Sequence, residues 1–371
     1  FNKWKASHQP FHWFAEFYGI MRNGGFDVII GNPPYVSYTK IKHVYALPRY
    51  QYQTESCGNL YAYVMERALT ALRGNPGRFG MIVPVSLVSG ESFKPLAALT
   101  FRYGFHISTF SNRPGKLFQG VEQRLAIVLS SSSQTGGYST DYQHWYEEER
   151  PLLFARLGYT EAHLHASRTI PLKLGTPLSK AILEKILFLR TNSVRTWIDR
   201  GKYGCWFHDG PTYWIRALPF EPNKDIKSER SNHYHRIGAK TKEHALAISA
   251  VLSSGTFYFF FKAISNCRDF GKKELDEFPI GSMREEIKAE LSSLGRAFEK
   301  RVRETSKLCS RLYPSGCVSY HEYYPAEAKD ILDQIDRVLA QHYGFTDEEL
   351  DFIINYDIKY RMGADDAEDG S

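Results

Sequence analysis

A short β-rich run, Phe26-Asp27-Val28-Ile29-Ile30, stops at Gly31 and passes directly into Asn32-Pro33-Pro34-Tyr35. Two adjacent prolines fix φ and offer no amide hydrogens, so this stretch can neither extend the strand nor make its own turn bonds. The chain must leave a strand abruptly, with its carbonyls directed outward. Around this point, through about residue 135, short apolar strands alternate with amphipathic helical stretches, the pattern of a mainly parallel sheet with helices on its faces, an α/β fold. Residues 60–72 have helical apolar spacing until Gly74-Asn75-Pro76-Gly77 ends it. Residues 79–85, 105–110 and 125–130 read as strands, and 92–103 as a helix.

The Ser- and Gly-rich tract 130–137 has the composition of a linker. Beyond it, residues 138–279 show little periodicity and mix Trp, Tyr, His and basic residues with turn formers, which suggests an irregular α+β region. Residues 283–312, 325–343 and 347–360 have helical periodicity, and Thr346 with Glu349 forms a capping box for the last of them. The expected division is therefore 1–135, 136–282 and 283–371, the last ending in an acidic tail from residue 363.

Composition narrows the setting. No stretch approaches the roughly 18 to 20 uninterrupted apolar residues of a membrane-spanning helix, and the start has no signal-peptide layout, so no membrane role is expected. Lys and Arg outnumber Asp and Glu by 47 to 41, a formal charge of +6 that suits a polyanionic partner without requiring one. Cys57, Cys205, Cys267, Cys309 and Cys317 are scattered, with no Cys-x-x-Cys pair, and read as reduced thiols of a cytoplasmic protein. His233 and His235 flank Tyr234, but no carboxylate or thiol stands at a recognisable ligand spacing, so no metal is expected.

The proline loop has a chemical reading. An exocyclic amine on an adenine ring is a poor nucleophile because its lone pair is delocalised, and two fixed acceptors would localise that pair. The Asn32 side-chain oxygen and the Pro33 carbonyl can each take one amine hydrogen, while Pro34 stiffens the turn. Tyr35 offers a π surface, and stacking of a base on an aromatic ring contributes about 1 to 3 kcal/mol.

Residues 26–36, FDVIIGNPPYV, resemble the catalytic motif of the gamma-class adenine methyltransferases, including the methylases of Eco57I-like restriction-modification enzymes. Asn59-Leu60-Tyr61, Gly80-Met81-Ile82-Val83-Pro84 and Lys116-Leu117-Phe118-Gln119-Gly120 before Leu125-Ala126-Ile127-Val128-Leu129 follow in that family's order. The resemblance covers residues 11–132. It implies part of a class I, Rossmann-like, S-adenosylmethionine-dependent methyltransferase sheet, then an α+β target-recognition domain and C-terminal helices. It further implies that Asn32 and Pro33 grip the adenine amine, that Tyr35 and Phe118 sandwich the base, and that Leu60 and Tyr61 border the methyl donor. The implied partner is double-stranded DNA, and the implied role is restriction-modification or phage defence.

The family holds S-adenosylmethionine on an earlier strand ending in a Gly-rich turn, with an acid at the end of the next strand. Gly24-Gly25 directly precedes the catalytic strand and leaves no room for that unit, and Gly136-Gly137 opens no helix. The chain is thus expected to be part of a longer polypeptide; a split enzyme completed by a second subunit and a degenerate DNA-binding chain are the alternatives. The catalytic strand is then expected to expose a long apolar edge or to fill it differently.

Asn-Pro-Pro-Tyr also occurs in methyltransferases acting on glutamine of translation release factors. Those end soon after the catalytic sheet, whereas more than half of this chain follows it. That remainder includes residues 257–261, 266–270 and 275–280, which resemble a segment of target-recognition domains in the same group. Arg230, Arg236, Lys240 and Arg268 are its candidate DNA contacts, with Arg268 open to a salt bridge instead. No Asp and Glu-x-Lys nuclease constellation is evident. A noncatalytic DNA-specificity module, or a piece of a fused methylase-endonuclease, is the competing reading.

Overall fold

The computed structural model describes residues 2–8, 12–44, 51–72, 77–163, 170–224, 233–313 and 316–363. The chain divides into two compact units, Phe1–Thr176 and Pro177–Ser371.

The first unit is built on a six-stranded sheet. Its strands are β1 (Val28–Gly31), β2 (Arg78–Pro84), β3 (Gly104–Phe110), β4 (Leu125–Ser131), β5 (Gly137–Gln143) and β6 (Thr160–Glu161), in the order β1-β2-β4-β3-β5-β6. The sheet is mixed. The β1/β2 and β3/β5 pairs are parallel, but β4 lies antiparallel between β2 and β3, and β6 pairs antiparallel with β5. The expectation of a mainly parallel sheet is corrected here, because apolar runs reveal strands but not their direction.

Two helices cross one face, α1 (Leu60–Ala71) between β1 and β2, and α2 (Lys94–Thr100) between β2 and β3. Side chains alternate across a strand, so Phe79, Met81, Val83, Phe105, Ile107, Ala126 and Val128 all meet these helices in one core. On the opposite face Val28 (55% exposed), Ile30 (77%), Leu129 (51%) and Tyr138 (43%) remain in contact with solvent. Toward the C-terminal end of β2 the same face is covered, where Ile82 and Ile127 pack on Phe110, Leu117, Leu125, Trp145 and Leu153. The expected long apolar edge is instead a short terminal strand, β1, whose exposed Val28 and Ile30 belong to an apolar face shared with Leu129 and Tyr138.

The boundary expected at residue 135 falls inside this sheet. The Ser-rich tract is not a domain linker; it carries the chain from β4 past β3 to β5. Its backbone is tied to the sheet rim, with Gly104 N–H donating to the Gln134 carbonyl (2.8 Å) and Ser132 N–H to the Gly77 carbonyl (3.1 Å). A Cβ at Gly104 would stand 2.5 Å from Gln134 Cβ, so the crossing is too close for a side chain there. Small polar residues suit tight crossovers and flexible linkers alike, and only non-local pairing separates the two.

The second unit holds a three-stranded antiparallel sheet in the order β8-β7-β9, from β7 (Ile198–His208), β8 (Ala217–Leu218) and β9 (Tyr234–Ala239), and a separate hairpin, β10 (Lys307–Tyr313) with β11 (Gly316–Glu322). Its main helices are α3 (Pro177–Phe188), α4 (Lys242–Ser253), α5 (Gly255–Ile264), α6 (Lys272–Glu277), α7 (Glu285–Glu304), α8 (Lys329–Tyr343) and α9 (Asp347–Asn355). The expected helix over 283–312 stops at Glu304, and from Lys307 onward the chain is β10, which pairs with a strand that local periodicity does not reveal.

Nor do the C-terminal helices form a region of their own. Buried Asp336 on α8 accepts the N–H groups of Gly255 (2.9 Å) and Thr256 (2.8 Å), capping α5 across 80 residues of sequence. Every residue of α5 is buried. No single helix among the described residues is long and apolar enough to cross a membrane; the apolar pair α4 and α5 bends by 60° at Ser254 and is packed inside the unit. The expected capping box forms, with Thr346 and Glu349 exchanging side-chain and backbone bonds at the start of α9.

Candidate functional site

Strands β1, β2, β3 and β5 run in one direction, so Gly31, Pro84, Phe110 and Gln143 end on one rim, and β4 begins there at Leu125. Open α/β sheets place ligands at such a rim, because loops leaving the strand ends can converge there. Residues 32–36 leave β1 without a turn of their own. They are fastened instead to the start of α1: Leu60 N–H donates to the Val36 carbonyl (2.9 Å), and Tyr38 N–H to the Gly58 carbonyl (2.8 Å). Asn59 caps α1 by accepting Tyr61 N–H at 3.3 Å. Pro33 is buried while Asn32 and Pro34 are exposed, so the loop is anchored through its proline and presents its amide.

Tyr35 links this loop to both cores of the unit. Its hydroxyl stands 2.5 Å from Asn32 Oδ1 and 2.9 Å from the Ile82 carbonyl, with one hydrogen to donate between them. Burial pushes its pKa up to about 12, so the phenol remains a donor at neutral pH. The ring sits edge-on to Tyr61 at 6.4 Å. Tyr61 is itself fully buried, stacked on Phe93 at 5.2 Å and bonded through its hydroxyl to Ser86 Oγ at 2.8 Å. Thus Tyr61 supports the loop from beneath, and Leu60 beside it is half-buried.

Phe118 packs half-buried on the same Phe110–Trp145 cluster that Tyr35 borders, so the structure brings these two sequence candidates to one side of the rim. Its loop is held by Arg150, whose guanidinium donates to the carbonyls of Lys116 (2.6 Å) and Leu117 (2.7 Å). Lys116 and Glu122 form an ion pair across the same loop. Sequence reasoning missed Arg150, Ser86 and the Ile82 carbonyl. Only the Ile82 carbonyl had a sequence signal, since it lies on the strand whose apolar run was legible.

The family model described as "Eco57I restriction-modification methylase" matches residues 1–111. Residues 1–111 carry the Eco57I restriction-modification methylase signature. Among solved structures, the chain is similar to a nuclease-deletion mutant of the Type ISP restriction-modification enzyme LlaGI in complex with a DNA substrate mimic. That match has 10% identity and a TM-score of 0.43, over 77% of this chain and 42% of that one. It is also similar to the type IIG restriction endonuclease BpuSI, at 12% identity and TM-score 0.32, over 90% and 54%. A third is a modification subunit of a putative type I restriction enzyme from Vibrio vulnificus, at 13% identity and TM-score 0.29, over 42% and 38%. The chain spans between 17% and 54% of the length of the similar solved chains. Among curated proteins there is no match.

An Eco57I-type methylase implies S-adenosylmethionine, and the described residues of this chain do not by themselves fit that group. None of the strands ending on the rim passes into a Gly-rich turn that opens a helix: β1 passes into Asn32-Pro33-Pro34, β2 into Val85-Ser86 and β3 into Ser111-Asn112. What the rim offers is the exposed Asn32 amide beside an aromatic ring whose hydroxyl stands 2.5 Å from its Oδ1.

The remaining sequence candidates belong to the second unit. Arg230 lies outside the described residues. Arg236, on β9, directs Nη2 at the carbonyls of Gly201 (2.7 Å), Lys202 (3.0 Å) and Tyr203 (3.0 Å), and its guanidinium lies over Trp206. Lys240 is exposed just beyond β9. Arg268 is exposed, 3.6 Å from Asp269, on a turn whose amides are capped by Asn266. His233 and His235 do have a carboxylate neighbour, which corrects the sequence reading. Asp209, at the end of β7, receives His233 Nδ1 at 3.1 Å and His235 Nε2 at 3.0 Å. The partner is distant in sequence because it is supplied by strand pairing. Among the described residues no group of three or more His, Cys, Asp or Glu is arranged to hold a metal ion. Cys57, Cys205 and Cys267 are buried free thiols, Cys309 is half-buried and Cys317 exposed.

Proposed function

We propose that this chain is the target-base side of a DNA methyltransferase that acts on the exocyclic amine of adenine in duplex DNA. The methyl donor, S-adenosylmethionine, would be held mainly by polypeptide beyond these 371 residues and would supply the electrophilic methyl group. The observation that carries the reading is the loop at residues 32–35, with its acceptor pair on the rim of the sheet and Tyr35 hydrogen-bonded to Asn32 Oδ1. An amine hydrogen on each of Asn32 Oδ1 and the Pro33 carbonyl leaves the nitrogen lone pair localised and pointing away from both. The Tyr35 hydroxyl limits rotation of the Asn32 amide, so the oxygen stays aimed without the cost of ordering it at the moment of reaction. Tyr35 and Phe118 then serve as the aromatic walls for a base rotated out of its stack. Leu60 and Tyr61 back the loop on the side where the donor would approach. The second unit, with Arg230, Lys240 and Arg268, is assigned to DNA contact, while Arg236 is engaged by the carbonyls of residues 201–203.

The test is methylation of adenine in plasmid DNA by the chain co-expressed with the upstream coding segment of its gene. Wild type is expected to protect sites, and Asn32→Ala to lower the rate on the order of 10²-fold or more while duplex binding stays within twofold. Wild type that binds duplex but never methylates, with Asn32→Ala indistinguishable from it, would favour a DNA-specificity module that retains the fold.

A further inference from the structure

The second unit contains a built feature that the candidate contacts do not explain. Strand β7 pairs with β9 twice against one residue, Ile198 and Tyr203 both facing Ala239, so residues 199–202 stand out of the ladder as a wide bulge. Bulges re-aim side chains and add strong local twist. This one is fixed at every point. Arg236 Nη2 binds the carbonyls of Gly201, Lys202 and Tyr203, and Asp199 Oδ1 accepts Gly201 N–H at 2.6 Å. A Cβ at Gly201 would stand 2.1 Å from the Ala239 carbonyl oxygen, and one at Gly238 2.3 Å from the Asp199 carbonyl oxygen, so the bulge is pressed directly onto β9.

The bulge carries Arg200, which lines an open groove of about 650 Å³ together with Lys272. The floor is apolar and sealed, with Phe207 against Phe270 at 4.6 Å. The carboxylates in the groove are already engaged: Asp199 on the bulge backbone, and Asp276 with Arg195 at 3.0 Å. His235 is held by Asp209. Arg200 and Lys272 are both exposed and have no hydrogen-bond or ion-pair partner among the described residues. Two exposed cations lining one groove, one of them on a bulge held by Arg236 and Asp199, suit a polyanion.

We propose that this groove, through Arg200 and Lys272, seats the phosphodiester backbone of duplex DNA, with Arg236 as the positioning residue that fixes the bulge. The assignment rests on the DNA-acting reading above but concerns a site of its own. Phosphate contacts of this kind set register and affinity without reading sequence, and each one neutralised steepens the salt dependence of binding by about 0.9 in log–log slope.

The experiment is fluorescence anisotropy of the full 371-residue chain with a labelled random-sequence duplex over a salt series, comparing wild type, Arg200→Glu with Lys272→Glu, and Lys300→Glu as an exposed charge reversal elsewhere. Thermal melts verify folding. The double variant is expected to bind at least about tenfold more weakly, with a slope shallower by about 2, while Lys300→Glu stays near wild type. Equal affinity and slope in the double variant, with wild type binding well, would overturn the groove assignment and leave the DNA-acting reading standing. Polyglutamate displacing the duplex at equal charge concentration would overturn the nucleic-acid assignment in favour of an acidic polypeptide. Wild type that does not bind duplex at low salt would overturn both.

Discussion

The sheet of the first unit and the sheet of the second are finished to different degrees. In the first, one face is filled by α1 and α2, and the other leaves Val28, Ile30, Leu129 and Tyr138 facing solvent. In the second, α4 runs against β7, β8 and β9, and Cys205, Ala217, Leu218, Ile237 and Ala239 are all buried. Parallel α/β sheets normally have both faces covered because connecting helices must lie on them. A right-handed crossover, the general rule for parallel strands, commits its helix to one face only, so the other face depends on connections made in the opposite direction along the sheet. The half-covered sheet agrees with the proposal that its donor-binding elements lie elsewhere, whereas the sheet of the second unit is packed against α4.

The largest effect should come from the covered face. Phe79→Ala is expected to cost about 3 to 5 kcal/mol in denaturant unfolding, and a cost below about 1 kcal/mol would break the distinction between the faces. A pH series sharpens the second half of the comparison. His208, at the end of β7, is pushed down to about 3, first by burial and then by the charge of Arg216, and its Nδ1 accepts Gly210 N–H. The unfolded chain takes up this proton near the ordinary histidine value of 6.5, so the unfolded state binds more protons and stability falls as pH drops from there toward 3. His208→Gln should flatten that fall, and an unchanged pH profile would show that His208 is not held neutral. The smallest effect is expected on the bare face, where Ile30→Ser in this chain should change stability by no more than about 0.5 kcal/mol. A loss of several kcal/mol there would mean that the face is covered in solution.

The loop itself was legible at once, because Asn32-Pro33-Pro34-Tyr35 after a strand has few structural uses and its backbone is constrained by covalent geometry. The positions of β1 to β4, the extent of α1 and the capped start of α9 followed from periodicity and capping, whereas α9 ends at Asn355 rather than near residue 360 and α2 spans only Lys94–Thr100. Harder to read were features made by pairing between distant segments. The Ser-rich tract became a crossover, the end of a helical pattern became β10, and the regions expected at 136–282 and 283–371 were divided differently, at Thr176. Asp209 reached His233 and His235 only through the β7/β9 register. Arg236, expected as a DNA contact from composition, is directed at three carbonyls because a bulge that no local signal announces lies beside it.

By itself the sequence determined the proline loop, its aromatic neighbour and the strand that carries them, since these rest on φ restriction and residue chemistry within a few bonds. Tertiary structure alone decided that the Tyr35 hydroxyl meets Asn32 and Ile82, that Phe118 shares its cluster, and that Arg200 and Lys272 stand free over one groove. Those depend on which non-local strands pair and in what register. A one-residue slip would turn every side chain to the other face.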